Sequence, residues 1–255
     1  CEGAIKIEDL ERFCKSNKVI SLGISDTSNL CGVLQFSETV SKSKTQPIIG
    51  SQIKFKHKDL YGLIPIIAKN EIGYKNLVKL SSNSYLNHDE FQDPYCEFKD
   101  LTKFNDGIIV TLGGLNSLAG DLFKKDRLDE IKQIYTFFRK LLNNNFYIEI
   151  QRHNDPNEKN LENYNLNVSN ELNIPIIASH EVYYLEKNLY EAHDALMCIG
   201  SKDYINNKRR PKLSNNHYLK NSEEMKELFS DLPEALENNY NLNLRCSYRP
   251  ITSKP

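Results

Sequence analysis

The side chains best equipped for chemistry stand in one stretch, Phe146 to His153, read Phe-Tyr-Ile-Glu-Ile-Gln-Arg-His. Its alternation puts Phe146, Ile148 and Ile150 on one face and Tyr147, Glu149, Gln151 and His153 on the other, the pattern of a strand with an apolar side and a polar side. In an α/β barrel the polar side lines a cavity, and an imidazole at the C-terminal end of a strand stands where such barrels carry their chemistry. A strand with one solvated face fits the same pattern. Asp26 closes an earlier strand and is expected to cap the following helix through the Ser28 or Asn29 amides. His57, His88 and His217 fall in polar stretches and are expected to be solvated, and His193, beside Ala192 and Leu196, is expected to be a packed or capping residue. Lys208-Arg209-Arg210-Pro211 reads either as a solvated basic loop or as a contact to phosphate or to another domain.

The elements that must position these groups alternate. Ala4–Ser16 is spaced as a helix and Val19–Asp26 as a strand, and Ser28 opens a second helix that runs to about Lys42. Pro47–Phe55 and Leu63–Ala68 read as a hairpin around a polar turn. A helix follows from Asn70 through Tyr85, a short helix near Phe98–Phe104, and a strand over Gly107–Leu112. After that come a long amphipathic helix over Asp126–Leu142, the strand at Phe146, a helix over Pro156–Leu172 and a strand over Ile174–Ser179. Helices over Leu189–Ile199, Asn221–Phe229 and Leu232–Arg245 finish the chain, the second opened by Asn221 with Glu224 three residues on. Strand-helix alternation predicts parallel pairing with right-handed crossovers. A closed or nearly closed barrel fits better than an open nucleotide-binding sheet, because Gly113-Gly114 lacks the rest of a dinucleotide motif. Tyr135, Phe137 and Phe138 suit a helix packed on the barrel.

With 255 residues, 39% hydrophobic and 26% charged, the chain has ample core material, and its net charge of -1 excludes a general attraction to nucleic acid or anionic lipid. Six cysteines without a C-x-x-C pair suggest reduced thiols in a cytoplasmic protein rather than a zinc ribbon. No apolar run approaches the length of a membrane span.

Ala68-Lys69-Asn70-Glu71 followed by Gly73-Tyr74-Lys75-Asn76-Leu77, then Ile148-Glu149-Ile150-Gln151-Arg152-His153, then Glu191-Ala192-His193-Asp194-Ala195-Leu196, resemble the N-terminal PHP (polymerase and histidinol phosphatase) domain of bacterial replicative DNA polymerase III alpha subunits. The resemblance runs from Glu2-Gly3-Ala4 to Ser222-Glu223-Glu224-Met225 and Asp231-Leu232-Pro233-Glu234-Ala235, segments typical of the polymerase branch. It implies a distorted (β/α)7 TIM-like barrel over residues 1–255, ending at the junction to the polymerase domains, in which the first strand and its His-x-His are expected to be missing. Intact relatives hold several divalent metals in a His, Asp and Glu cluster and hydrolyse phosphoesters.

At positions matching that cluster, Glu2, His153 and Glu181 remain as candidates, with Asp26 beside them. Thr27 stands where a His is usual, Gln52 where a Glu is usual, and Leu63 and Tyr183 where further His residues are usual. Leu63 has no donor atom and Gln52 only a neutral amide, so no metal is expected and the three acids and one imidazole are vestigial. The resemblance thus implies a catalytically silent scaffold, partnered by the remaining polymerase domains and the proofreading exonuclease subunit, and reaching DNA through the polymerase and its magnesium. The alternative is an active phosphoesterase, 3′-5′ exonuclease or pyrophosphatase using zinc, manganese or magnesium.

Overall fold

A computed structural model of the chain describes residues 3–86, 93–207, 209–210 and 212–252. The elements run α1 (Ile7–Ser16), β1 (Ser21–Thr27), α2 (Val33–Ser41), β2 (Gln46–His57), β3 (Leu60–Ala68), α3 (Glu71–Leu86), β4 (Cys96–Glu97), α4 (Phe98–Lys103) and β5 (Ile108–Leu112). They continue α5 (Leu118–Phe123), α6 (Leu128–Leu142), β6 (Phe146–Ile150), α7 (Glu158–Leu172), β7 (Ile176–Ala178), α8 (Tyr190–Ser201), α9 (Ser222–Leu228) and α10 (Pro233–Arg245).

The strands form one mixed sheet in the order β1-β2-β3-β5-β6-β7, with β4 pairing along β2 beyond the end of β1. The sheet curls into part of a TIM-like barrel. β1–β2, β5–β6 and β6–β7 are parallel, as the alternation predicts. β3 is antiparallel to both neighbours. Only Lys58 and Asp59 separate β2 from β3, and so short a link permits only an antiparallel return.

Strands β2, β3, β5, β6 and β7 contribute to two cores. Ile49, Ile64, Ile66, Val110, Phe146, Ile148 and Ile150 pack outward against helical residues such as Leu77, Tyr135 and Phe138. On the concave side Ile48, Ile67, Ile109, Tyr147 and Ile177 meet Leu242 of α10 and Cys246, which close the base of the barrel. α10 also covers the free edge of β7. Asn238 Nδ2 donates to Ile176 O at 2.9 Å and Asn239 Nδ2 to Ala178 O at 2.6 Å, supplying partners that a neighbouring strand would otherwise give.

Gly113-Gly114 has a packing role. Gly113 sits at φ +156°, and a Cβ there would lie 2.3 Å from Glu149 O, so only glycine lets the turn after β5 pass the β6 backbone so closely. α9 is capped as its sequence predicts: Asn221 Oδ1 accepts the Glu223 and Glu224 amides at 3.0 Å, and Glu224 Oε2 accepts the Asn221 amide at 2.8 Å.

Candidate functional site

The barrel mouth is built where β6 ends. The strand stops at Ile150, so Gln151, Arg152 and His153 lie in the turn leading to α7 rather than on the strand itself. Glu149 is the last polar residue that the strand points inward, and it is only 6% exposed. Thr111 Oγ1 donates to one of its oxygens and Gln151 Nε2 to the other at 3.1 Å. Burial outweighs these bonds and pushes its carboxyl up to about 7.

His153 is 1% exposed, and each of its ring nitrogens is taken. Nδ1 lies 2.7 Å from Glu158 Oε1, while Glu158 Oε2 accepts the backbone amides of His153 at 2.5 Å and Asn154 at 2.9 Å. The Glu181 amide donates to Nε2 at 3.0 Å, which makes Nε2 the lone-pair side of a neutral ring. Burial, reinforced by His217, lowers this imidazole to about 3.

His217 stacks on His153 at a centroid distance of 4.0 Å and 2° between planes. It is fully buried, not solvated as its polar neighbours suggest, because Nδ1 meets Glu181 O at 3.1 Å and Nε2 meets Asp155 Oδ2 at 2.8 Å. His180 completes the group, 4.2 Å from His153 between centroids, with Nε2 2.8 Å from Asn216 O. Burial takes His180 down to about 2 and the adjacent Lys220 amine down to about 8. Among the described residues, His153, Asp155 and His217 form a group whose ligand-type atoms all lie within 4.8 Å of one another.

Of the sequence candidates, Glu2 lies outside the described residues, as does His88. Asp26 is exposed at the end of β1, with its carboxylate facing Gly32. It does not form the expected cap: the Ser28 amide donates to Gln52 O at 2.8 Å, and α2 opens at Val33 with no side-chain cap. His153 and Glu181 do come together. The Glu181 carboxylate accepts from Asn116 Nδ2 at 2.8 Å and from the Tyr183 hydroxyl at 3.3 Å, and burial raises its pKa.

Asp155 and His180 escaped the sequence reading, and His217 was expected only to be solvated. The available signal was pairing of type: His153-Asn154-Asp155 and His180-Glu181 each set an imidazole near an acid. His57 is also enclosed, bonded to Glu130 Oε2 at 2.8 Å. His193 is buried as expected, against the Tyr183 and Tyr184 rings. Arg210 is not available to phosphate, because it grips Asp194 with two bonds of 2.5 Å and lowers that carboxyl. Its neighbours Lys208 and Pro211 lie outside the described residues.

The PHP domain family model matches residues 1–153. The chain is 34% identical over 258 residues to DNA polymerase III subunit alpha of Rickettsia conorii, covering 100% of this chain and 22% of that protein. It is 35% identical over 258 residues to that of Rickettsia prowazekii, with the same coverage, and 31% identical to that of Caulobacter vibrioides over 97% of this chain. The chain therefore spans about a fifth of the length of these relatives. Among solved structures, a candidate metal-dependent phosphoesterase from Bifidobacterium adolescentis aligns over 90% of this chain and 92% of its own at 10% identity, with a TM-score of 0.47, too distant to inform function. No helix among the described residues is long and apolar enough to cross a membrane. With a family match over residues 1–153, more than half of its length, this chain belongs to the PHP domain family.

Proposed function

We propose that this chain is the PHP segment of a replicative polymerase alpha subunit and that it supports the polymerase without carrying the family's hydrolytic metal cluster. The observation that carries this reading is the donor set at the barrel mouth. Leu63 on β3 offers no donor, Gln52 turns its amide toward Ser25 O at 3.4 Å, and the Tyr183 hydroxyl is spent on Glu181. Zinc, manganese and iron clusters need convergent imidazoles and carboxylates, and these residues do not fit a cluster of several ions. No hydrolytic step is therefore assigned to this segment.

What remains is a rigid half-barrel with polar contents. Residues 1–255 act as one unit of a longer cytoplasmic enzyme whose other domains perform magnesium-dependent DNA synthesis. The outer surface provides a docking face for the proofreading exonuclease subunit, and DNA is met through the polymerase. The similarity to alpha subunits over 97–100% of the chain supports the assignment to that assembly.

Hydrolysis tests the reading. The full-length protein, given bis-p-nitrophenyl phosphate or 3′-labelled single-stranded DNA with manganese or zinc, is expected to show no turnover above the metal-only blank from this domain. Metal-dependent cleavage that His153→Ala abolishes would overturn it.

A further inference from the structure

We propose that His153, Asp155 and His217 form a single-ion site of zinc-type chemistry that clips the end of β6 to the segment crossing the barrel mouth. Asp155 and His217 lie outside the motifs of the family resemblance, and only His153 belongs to them. The proposal goes beyond the silent-cluster reading and does not depend on it.

The strongest support lies behind the ligand atoms. A metal-bound histidine characteristically donates its other ring N–H to a carboxylate or a backbone carbonyl, which fixes the tautomer and aims the free nitrogen. His153 has its Nδ1 on the Glu158 carboxylate, itself anchored by the His153 and Asn154 amides. His217 has its Nδ1 on the Glu181 carbonyl at 3.1 Å. Both Nε2 atoms thereby turn toward the mouth, where His153 Nε2 accepts the Glu181 amide at 3.0 Å and His217 Nε2 meets Asp155, contacts that an ion would replace. Asp155 presents Oδ2 to His217 Nε2 at 2.8 Å while Oδ1 is steadied by the Ser214 amide at 3.1 Å. So each of the three ligand side chains is held by a second partner, and the two rings are 1% and 0% exposed.

Two imidazoles and one carboxylate select zinc-like ions over magnesium or calcium, which prefer shells made of oxygen. Bonds to zinc of about 2.0–2.1 Å require the donors to draw inward from their present spread. The stacked rings must therefore splay, and the Glu181 amide must yield the lone pair of His153. The segment they tie down is already laid over the mouth, where Asn216 Nδ2 donates to His153 O at 2.9 Å. Three protein ligands leave a fourth position for water.

The test uses the full-length protein without a histidine tag, stripped by chelator and titrated with zinc against a chromophoric competitor. One zinc per chain is expected. His217→Gln and Asp155→Asn are expected to weaken it at least 100-fold, Glu158→Gln about 10–100-fold, and the distant His57→Gln not at all. Equal affinity in wild type, His217→Gln and Asp155→Asn overturns the site, as does a wild type that takes up no zinc. Should the variants misfold by circular dichroism, pulsed electron paramagnetic resonance of the copper(II)-loaded wild type decides instead. Two imidazole couplings are expected, and one or none overturns the proposal. Phosphodiester turnover, recorded on the same samples, would contradict the silent-cluster reading while leaving the ion site standing.

Discussion

Arg152→Ala is expected to lower the stability of the domain by about 3–5 kcal/mol, as removal of one partner from a buried ion pair does. Arg152 lies two residues past the end of β6 and ties three elements together. Its Nε and Nη2 donate to Glu162 on α7 at 3.1 and 2.7 Å, its Nη1 and Nη2 to Asp231 at 2.6 and 2.9 Å, and Nη1 to Leu228 O at 2.8 Å. The guanidinium also lies 4.9 Å from the centre of the Phe229 ring. Little of this is screened, since the Glu162 side chain is 3% exposed. Without the guanidinium, Glu162 keeps only Lys159, a largely exposed partner at 2.9 Å. Arg152→Lys is expected to recover only part of the loss, because an ammonium cannot serve two carboxylates with a planar fork. The double variant Arg152→Met, Glu162→Leu removes both charges and is expected to be more stable than Arg152→Ala. Urea unfolding followed by circular dichroism checks the series. A loss under about 1 kcal/mol for Arg152→Ala would mean that the fork is a surface pair of ordinary worth.

The second large effect is a dependence on pH. Glu149 ionises near 4.5 when the chain is unfolded, and burial in the barrel raises this to about 7. Between those values the folded state holds a proton that the unfolded state has released, so stability falls as pH rises. The contribution is fully present below about 4.5 and is lost as pH passes about 7, a change of roughly 3 kcal/mol for this group. Glu158, likewise raised to about 7 by burial, acts in the same direction, so the wild-type slope alone does not isolate Glu149. Glu149→Gln does. It keeps an oxygen for the Thr111 hydroxyl, and it is expected to be more stable than wild type at pH 8 and to close much of the gap at pH 5. Equal wild-type and variant slopes between pH 5 and 8 would show that Glu149 ionises without penalty inside the barrel.

Most of the scaffold was legible because its signals are local. Period-two alternation located β6 and its two faces, the short polar turn gave the β2–β3 hairpin, and Asn221 with Glu224 marked the start of α9. One helix, α5, went unread: it is six residues long and follows Gly113-Gly114, where the sequence gives a break but no amphipathic stripe. The antiparallel placement of β3 beside β5 was also hidden, because strand order depends on pairings far apart in the chain.

The site was less legible for the same reason. His217 is separated from His153 by two helices, and its surroundings in sequence, Ser214-Asn215-Asn216, read as solvent-exposed. What buries it is the crossing of that segment over the mouth, where Asp155 and the Glu181 carbonyl meet its nitrogens. Local polarity cannot report such long-range satisfaction of a polar group. Conversely, Asp26 had a clear sequence context for capping, yet α2 starts only at Val33 without a side-chain cap, and the Ser28 amide is taken by Gln52 O on the neighbouring strand.

Metal-edge anomalous diffraction from crystals soaked in manganese and, separately, zinc probes the heart of the matter. One zinc per chain is expected, seated among His153, Asp155 and His217, with no ion of either metal bridging Glu181 to Gln52 or Asp26. Two or three ions sharing the mouth, with Glu181 among their ligands, would show that the hydrolytic cluster survives and that the domain is more than a support.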